Sequence, residues 1–444
     1  MQTLIKSKKN IAIRDIGVVT DGIHTSIDYD KNSGINLISA TSPKQNVFNL
    51  TRNAYISEAA HIANPRTALR ENDIILSTVG TIGNCAVVNT DILPANSDRH
   101  VGIIRLNSSI NPYVLSTFLL TKYGRNQTVR EATGNVQPNL FLYKIKEIIV
   151  PIFGDMFQNT VKEAVLEARQ LLKKSDTEYL EVKKLLEAEI GIDMSSITNG
   201  GVSLKSFSES FGNTGRLDAE YYQPKYDKLM QAVSLSVHKK LKEIETISKS
   251  IEPGSEAYKD NGIPFIRISD ISKYEISAPD KYLEPGSKYD LPIYYLKKDE
   301  ILFSKDGSVG IAYKVKSDAP MITSSALLHL TIKDNSKILP DYLTAVLNSD
   351  IVQLQAERDA GGSIIKHWKL SEIKEVLVPV LDISRQKAVS EKSSKSFELR
   401  HRSKKLLEYA KQAVEMAIEQ NETTAAAWLN NRITELTKKD AVTE

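Results

Sequence analysis

Two carboxylates in the second half of the chain have the spacing of a metal-dependent nuclease. Pro340-Asp341 is followed by Glu372-Ile-Lys374, and two carboxylates beside a lysine could hold a hard divalent cation near a phosphodiester. The equivalent positions of an internal repeat are Pro112-Tyr113 and Lys144-Ile-Lys146, which carry neither carboxylate. Chance is therefore the favoured interpretation, and the nuclease stays an alternative.

Other catalytic signatures are incomplete. Asn111-Pro112-Tyr113 lacks the second proline of the loop that holds an adenine amino group in methyltransferases, so helix capping is the better interpretation. No Gly-Lys-Ser/Thr phosphate loop and no His-Glu-x-x-His zinc pair occur. Cys85 lies between apolar residues and is interpreted as a small core residue. We predict no catalytic residue, metal site or cofactor site in this chain.

The elements that would position such residues come in two copies. The Ser-x-x-Gly-x-x-Gly pattern of 77–83 recurs at 304–310, an offset of 227, and Ile-Lys-Glu-x-x-Val-Pro recurs at 145–151 and 373–379, an offset of 228. Gly and Pro recur in the same order, which a chance repeat of one strand would not produce. The chain therefore contains an internal duplication.

Each half has the same order of predicted elements. Short apolar runs bounded by Gly, Asn, Asp and Pro predict strands, as at 73–77 and 101–106. Asn111 and Pro112 predict a helix over 111–123, with a counterpart over 339–351. A strand and then a long helix follow in both halves. The predicted fold class is α+β, with two tandem β-rich domains of mixed α/β structure.

The long helices carry a heptad pattern. From Val161 to Glu189, positions spaced alternately by four and three are mostly apolar or aromatic, and a weaker pattern runs from Val389 to Ala417. Packing of each helix on its own domain is the alternative, but about 30 residues span about 45 Å, more than such a domain covers. We predict that the helices pair as an antiparallel coiled-coil spacer that holds the domains roughly 35 to 50 Å apart. Domains at that separation would address DNA segments about one helical turn, or ~34 Å, apart.

Composition limits the class of protein. The 444 residues have a net charge of +3, which is too balanced to indicate nucleic-acid binding by itself. The single cysteine excludes an internal disulfide, and no run of about 18 apolar residues occurs. We expect a cytoplasmic protein that does not contact a membrane.

The chain resembles the specificity subunit of a type I restriction–modification system. The resemblance covers nearly the whole chain and rests on the tandem order of domain and helix, the two Ser-x-x-Gly-x-x-Gly turns, the loops at 133–140 and 361–368, and the segment Gly215-Arg-Leu-Asp-Ala-Glu-Tyr-Tyr-Gln-Pro-Lys-Tyr226. It implies that each domain reads one half of a bipartite DNA target, and that the helices set the half-site spacing and dock methyltransferase subunits.

The resemblance also implies partners and the location of catalysis. The partners would be double-stranded DNA, two adenine methyltransferase (modification) subunits and restriction (motor-nuclease) subunits. These subunits would use S-adenosylmethionine, ATP and Mg, so no cofactor is expected in this chain. The predicted boundaries are target-recognition domain 1 (1–152), spacer helix 1 (153–195), a linker (196–235), target-recognition domain 2 (236–382), spacer helix 2 (383–422) and a C-terminal tail (423–444).

Candidate DNA contacts are basic and amide residues near the glycine turns. Residues 121–146 have a local charge of +4, which could neutralise phosphates, and amides could read base edges. The candidates are Lys122, Arg125, Arg130, Asn135, Gln137, Asn139, Lys144, Lys305, Ser363, Lys366, His367 and Lys369. Further reading loops are predicted at 20–26 and 248–256. A coiled-coil scaffold without DNA contact stays a third hypothesis.

Overall fold

The computed structural model describes residues 9–51, 53–134, 136–194, 197 and 201–438. Within them the chain forms two compact units. The first unit holds the described residues up to Lys173 and those from His401 onward, and the second runs from Lys174 to Arg400. The two units are divided at 173/174 and at 400/401, and both points lie inside long helices. This division does not test the predicted boundaries between domains and helices, which stay predictions.

Short strands separated by turns build each unit. Those of the first unit are β1 (Asn10–Ala12), β2 (Gly17–Asp21), β3 (Asn36–Ile38), β4 (Ala54–Tyr55), β5 (Ile74–Ser77), β6 (Cys85–Val87), β7 (Ala95–Ser97), β8 (Val101–Leu106) and β9 (Ile149–Pro151). Those of the second are β10 (His238–Lys240), β11 (Glu245–Lys249), β12 (Ile263–Ile266), β13 (Tyr282–Leu283), β14 (Ile301–Ser304), β15 (Ala312–Lys314), β16 (Ile322–Thr323), β17 (Leu327–Ile332) and β18 (Leu377–Pro379).

The sheets repeat strand for strand. An antiparallel sheet has the order β2-β8-β5-β6 in the first unit and β11-β17-β14-β15 in the second. A smaller sheet has the order β4-β3-β7, and its counterpart has the order β13-β12-β16. The pairs β1-β9 and β10-β18 complete the correspondence. The predicted tandem α+β fold is confirmed.

Four of the described helices recur in the duplication, at 112–120 and 340–347, 122–131 and 350–359, 142–146 and 370–373, and 155–190 and 383–419. The helices are α1 (Glu58–Ala63), α2 (Pro112–Leu120), α3 (Lys122–Glu131), α4 (Leu142–Lys146), α5 (Asp155–Ile190), α6 (Pro224–Leu235), α7 (Leu241–Ile244), α8 (Pro340–Leu347), α9 (Asp350–Asp359), α10 (Leu370–Ile373), α11 (Ile383–Glu419) and α12 (Glu422–Lys438). The side chain of Asn111 caps α2 by accepting from the backbone N–H of Tyr113, as predicted. The described part of the predicted tail forms α12. Among the described helices, none has the length and apolarity to cross a membrane.

Buried glutamines repeat the duplication in atomic detail. The side chain of Gln127 donates to the carbonyl of Ile149 and accepts from its N–H, both at 2.9 Å. Gln355 makes the same two bonds to Leu377, at 3.0 and 2.9 Å. Each bonded pair in the second unit lies 228 positions after its counterpart. The side-chain bonds therefore join the same helix to the same strand in both units.

Each unit has its own core, to which both long helices contribute. In the first, Val161 of α5 and Val414 of α11 join a buried cluster with Phe118 of α2. In the second, Leu186 and Val389 join the corresponding cluster. Cys85 is fully buried in the first core, and burial raises the pKa of its thiol to about 12. The interpretation of Cys85 as a core residue is confirmed.

The two long helices pair antiparallel in the second unit. Ser175 and Ser396 each donate a hydroxyl to the other's backbone carbonyl, at 2.7 and 2.8 Å. Farther along α5, Glu178 pairs with Lys395 at 2.7 Å. Near the end of α5, Glu189 pairs with Arg385. The residue numbers of the partners decrease along α11 as those of α5 increase, so the two helices run in opposite directions. This confirms the predicted antiparallel coiled coil.

Ser396→Leu is expected to lower the free energy of unfolding of the second unit by about 1–3 kcal/mol, because a larger side chain at this buried contact forces the helices apart. It also removes one of the two reciprocal hydroxyl bonds. Denaturant unfolding followed by Trp368 fluorescence measures the change. Ser394→Leu is the matched control, since Ser394 is exposed on the same helix. Equal stability of the two variants would contradict the tight contact.

A loop between two strands anchors the sheets of each unit to its long helix. In the first unit, the backbone carbonyl of Asn46 accepts a hydrogen bond from Arg169 Nε at 2.9 Å. In the second, the ring of Tyr274 packs on Phe397 with centroids 5.2 Å apart, and Arg400 lies over the same ring. Tyr274 follows Asn46 by 228 positions, and Phe397 follows Arg169 by 228. The anchors occupy equivalent places with different chemistry.

Candidate nucleic-acid interface

In the first unit, the glycine turn at 77–83 is hydrogen-bonded to the loop at 133–141, and we call these two segments the first loop pair. Thr133 and Asn139 exchange two backbone hydrogen bonds, at 2.9 and 2.8 Å, which closes the base of the loop. The next residue, Leu140, donates its N–H to the carbonyl of Thr78 at 2.9 Å. The turn therefore fixes the loop at its closed end and leaves the tip projecting.

The second loop pair joins the turn at 304–310 to the loop at 361–369 by the same bonds. Gly361 and His367 exchange two backbone hydrogen bonds, at 3.0 and 2.7 Å. Trp368 donates its N–H to the carbonyl of Lys305 at 2.8 Å. Both units thus present one backbone scaffold that carries different side chains.

A glycine sets the shape of each loop. Gly134 has a φ of 112° and Gly362 a φ of 107°, which side chains rarely adopt. A Cβ at Gly134 would lie 2.9 Å from the carbonyl oxygen of Gln137, and one at Gly362 would lie 2.1 Å from that of Ile365. The close return of the chain therefore requires glycine in both loops.

Two of the predicted cations share one carboxylate. Arg130 and Lys144 pair with Glu131 at 2.8 and 2.7 Å. The hydrogen bond from Lys144 and that from Arg130 lower the pKa of Glu131, and the bond to Glu131 raises the pKa of Lys144. The carboxylate of Glu131 therefore offsets one of the two positive charges beside the loop.

Two other predicted cations are engaged elsewhere in the first unit. Lys122 forms an ion pair with Glu419, which also raises the pKa of the lysine. The guanidinium of Arg125 donates to the carbonyl of Ile82 at 2.7 Å, so it supports the glycine turn. The charge of +4 counted along 121–146 therefore overstates the charge excess, because it omits Glu419.

The amide candidates of the first unit differ in exposure. Gln137 is exposed at the loop, and Asn139 is half-buried where its backbone closes the loop. Asn135 lies outside the described residues. The exposed amide of Gln137 is thus free to face a ligand, whereas Asn139 also has a structural part in the loop.

Asp306 organises the candidates of the second unit. It pairs with Lys305, and its other carboxylate oxygen lies 2.9 Å from Nδ1 of His367. Lys305 is mostly buried, whereas His367 is exposed. The other candidates are exposed on the same loop or at its end: Ser363, Lys366 and Lys369.

A cleft of about 450 Å³ beside the first loop brings in residues that were not predicted individually. Its lining includes His24, Arg99, His100, Gln137 and Phe141. His24 lies in the segment predicted to read DNA, but Arg99, His100 and Phe141 were missed. The Arg-His pair directly before β8 and the Phe-x-Tyr pattern after the loop were the available signals.

The acidic residues of the nuclease hypothesis have other partners. Asp341 pairs with Lys314 at 2.6 Å. Glu372 accepts the backbone N–H of Lys369 at 3.2 Å and so caps α10. Within the described ranges, no group of three or more metal-ligating side chains forms. Both carboxylates are engaged by partners within their own unit.

Two units of one fold, each with a projecting loop pair and a long helix, define a tandem-repeat protein with paired helices. Residues 235–405 match the family model described as "Type I restriction modification DNA specificity domain". The resemblance seen in the sequence is confirmed by this match to a specificity domain of that family.

Solved structures show similarities over nearly the whole chain. One is the S subunit of a type I restriction–modification system from M. genitalium, with 12% identity, 95% of each chain covered and a TM-score of 0.41. Another is the HsdS subunit from Thermoanaerobacter tengcongensis, with 13% identity, 94% of this chain and 97% of that chain covered, and a TM-score of 0.30. The chain matches no curated protein.

Proposed function

We propose that the chain is the DNA sequence-specificity subunit of a type I restriction–modification complex, in which each unit reads one half of a bipartite target. The observation that carries this proposal is one loop scaffold with different chemistry in its two copies. Gln137 is replaced by Ile365 at the equivalent position, and Asn139 by His367. Direct readout of two different half-sites needs different side chains in the same geometry.

The helix pair supports the rest of the proposal. Paired helices of fixed length set the spacing between two half-sites and offer an outer face to methyltransferase subunits. Met156 and Leu180 are exposed apolar residues on α5. The chain itself reads the DNA target and binds the other subunits of the complex. The modification and restriction subunits supply catalysis with S-adenosylmethionine, ATP and Mg. We place the complex in the cytoplasm, where its DNA substrate lies.

Adenine methylation tests the proposal. The chain is produced with a type I modification subunit in a host, and single-molecule sequencing maps N6-methyladenine. We expect one bipartite motif with an unread gap, and none when either subunit is produced alone. Gln137→Ala is expected to change one half of that motif and leave the other unchanged, because the residue lies in one unit only. Duplex binding by the complex is expected to weaken as salt rises.

Three results would contradict the proposal. Cutting of DNA by the purified chain with Mg²⁺, abolished by Glu372→Ala, would favour the nuclease. Absence of duplex binding at low salt, even with the modification subunit, would favour a scaffold. A contiguous methylated motif would exclude two separate half-sites.

A further inference from the structure

Val136 and Ile364 are aliphatic residues that project into solvent from the two loops. Val136 is 100% exposed and Ile364 is 94% exposed. They are equivalent residues of the duplication, 228 positions apart. An isolated exposed aliphatic residue is ordinary, but the same feature at the same place in two diverged loops calls for a shared ligand.

Both side chains belong to loops that backbone hydrogen bonds close at the base. Each follows the positive-φ glycine by two positions, Gly134 in one loop and Gly362 in the other. The backbone bonds between 133 and 139, and between 361 and 367, close each loop behind the tip. Because the base of each loop is closed in this way, the loop loses less conformational freedom on binding than an open loop would, and burial of the exposed methyl groups adds to affinity.

The surroundings of the tips match DNA. Lys366 and Lys369 are exposed on the loop that carries Ile364 or at its end. In the first unit, exposed Gln137 follows Val136 directly. A glutamine amide pairs with adenine in the major groove, where the thymine of an A·T pair presents its methyl group.

We infer that Val136 and Ile364 contact thymine methyl groups in the major groove, one in each half of the target. This inference rests on the proposed function and assigns the base recognised at the tip of each loop. Val136 with Gln137 would read an A·T pair, since one side chain meets the thymine methyl and the other the adenine edge. Val136 and Ile364 would then be specificity-determining residues, one in each unit.

The test compares loop variants in the complex of the full chain with its modification subunit. Val136→Ser and Ile364→Ser are each expected to weaken binding of a duplex that carries the mapped motif about tenfold. The two variants are expected to affect recognition of different half-sites. Val129→Ser is the matched control, because Val129 is an exposed valine on α3. It is expected to bind like the unaltered chain.

Deoxyuridine in place of thymidine removes only the methyl group. In the unaltered complex, one such replacement in each half-site is expected to weaken binding about tenfold. In Val136→Ser the corresponding replacement is expected to have no further effect, which shows that residue and methyl group interact. Ile364→Ser should give the same result in the other half.

Distinct outcomes separate this inference from the proposed function. If the unaltered complex binds no duplex or marks no bipartite motif, the proposed function fails. If that complex reads its motif and both serine variants read it equally well, only the inference is overturned. A half-site without thymine, or a uracil effect that is the same with and without Val136, overturns it as well.

Discussion

Replacing Asp73 by alanine is expected to lower the free energy of unfolding of the first unit by about 3–5 kcal/mol. Asp73 is 1% exposed at the start of β5, and both of its carboxylate oxygens accept from Arg105, at 2.8 and 2.7 Å. One oxygen also accepts the backbone N–H of Arg70 at 2.8 Å. Alanine would leave the partly buried guanidinium of Arg105 and the N–H of Arg70 without the carboxylate that accepts from them. The free-energy cost of these unpaired donors exceeds the net stabilisation by the Asp73–Arg105 ion pair.

Two further variants separate the ion pair from other effects of the Asp73 substitution. Glu71→Ala removes an exposed carboxylate two positions away and is expected to change stability little. Asp73→Ala combined with Arg105→Met is expected to be more stable than Asp73→Ala alone, because no unpaired charge remains. Denaturant unfolding in a Trp368→Phe background follows the first unit through Trp428. Equal midpoints for Asp73→Ala and Glu71→Ala would refute the prediction.

The features predicted correctly from sequence depend on local residue types. Asn111 and Pro112 determine where α2 starts, whatever the rest of the chain does. The glycine at 134 and its repeat at 362 are needed for backbone angles that almost no other residue adopts. The offset between such positions showed the duplication, and with it the fold and the paired loops.

The charged contacts depend on the tertiary fold and were not predictable in this way. Lys122 belongs to a basic stretch in the sequence, yet its carboxylate partner Glu419 lies at the end of α11. Glu245 belongs to a charged strand that pairs with β17, yet it is 2% exposed, unlike the other four residues of β11. Counting charges along the chain therefore predicted too many available cations and missed a buried carboxylate.

That buried carboxylate leads to the second large prediction, which concerns pH. Both oxygens of Glu245 are buried and have no hydrogen-bond partner among the described residues. Burial raises the pKa of Glu245 to about 8 from an ordinary 4.5, although nearby Lys333 opposes the change. The folded state therefore favours the protonated acid. The stability that Glu245 contributes is fully present below about pH 4.5 and is lost as the pH rises through about 8.

Glu245→Gln keeps the shape of the acid and removes its ionisation. The variant should match the unaltered chain near pH 4.5 and exceed its free energy of unfolding by at most about 5 kcal/mol at pH 9, since each pKa unit corresponds to about 1.4 kcal/mol. Unfolding followed by Trp368 in a Trp428→Phe background reports on the second unit. Glu243→Gln, an exposed neighbour, is the matched control and should show no such pH dependence. A stability difference between Glu245→Gln and the unaltered chain that stays constant from pH 4.5 to 9 would show that folding does not raise the pKa of Glu245.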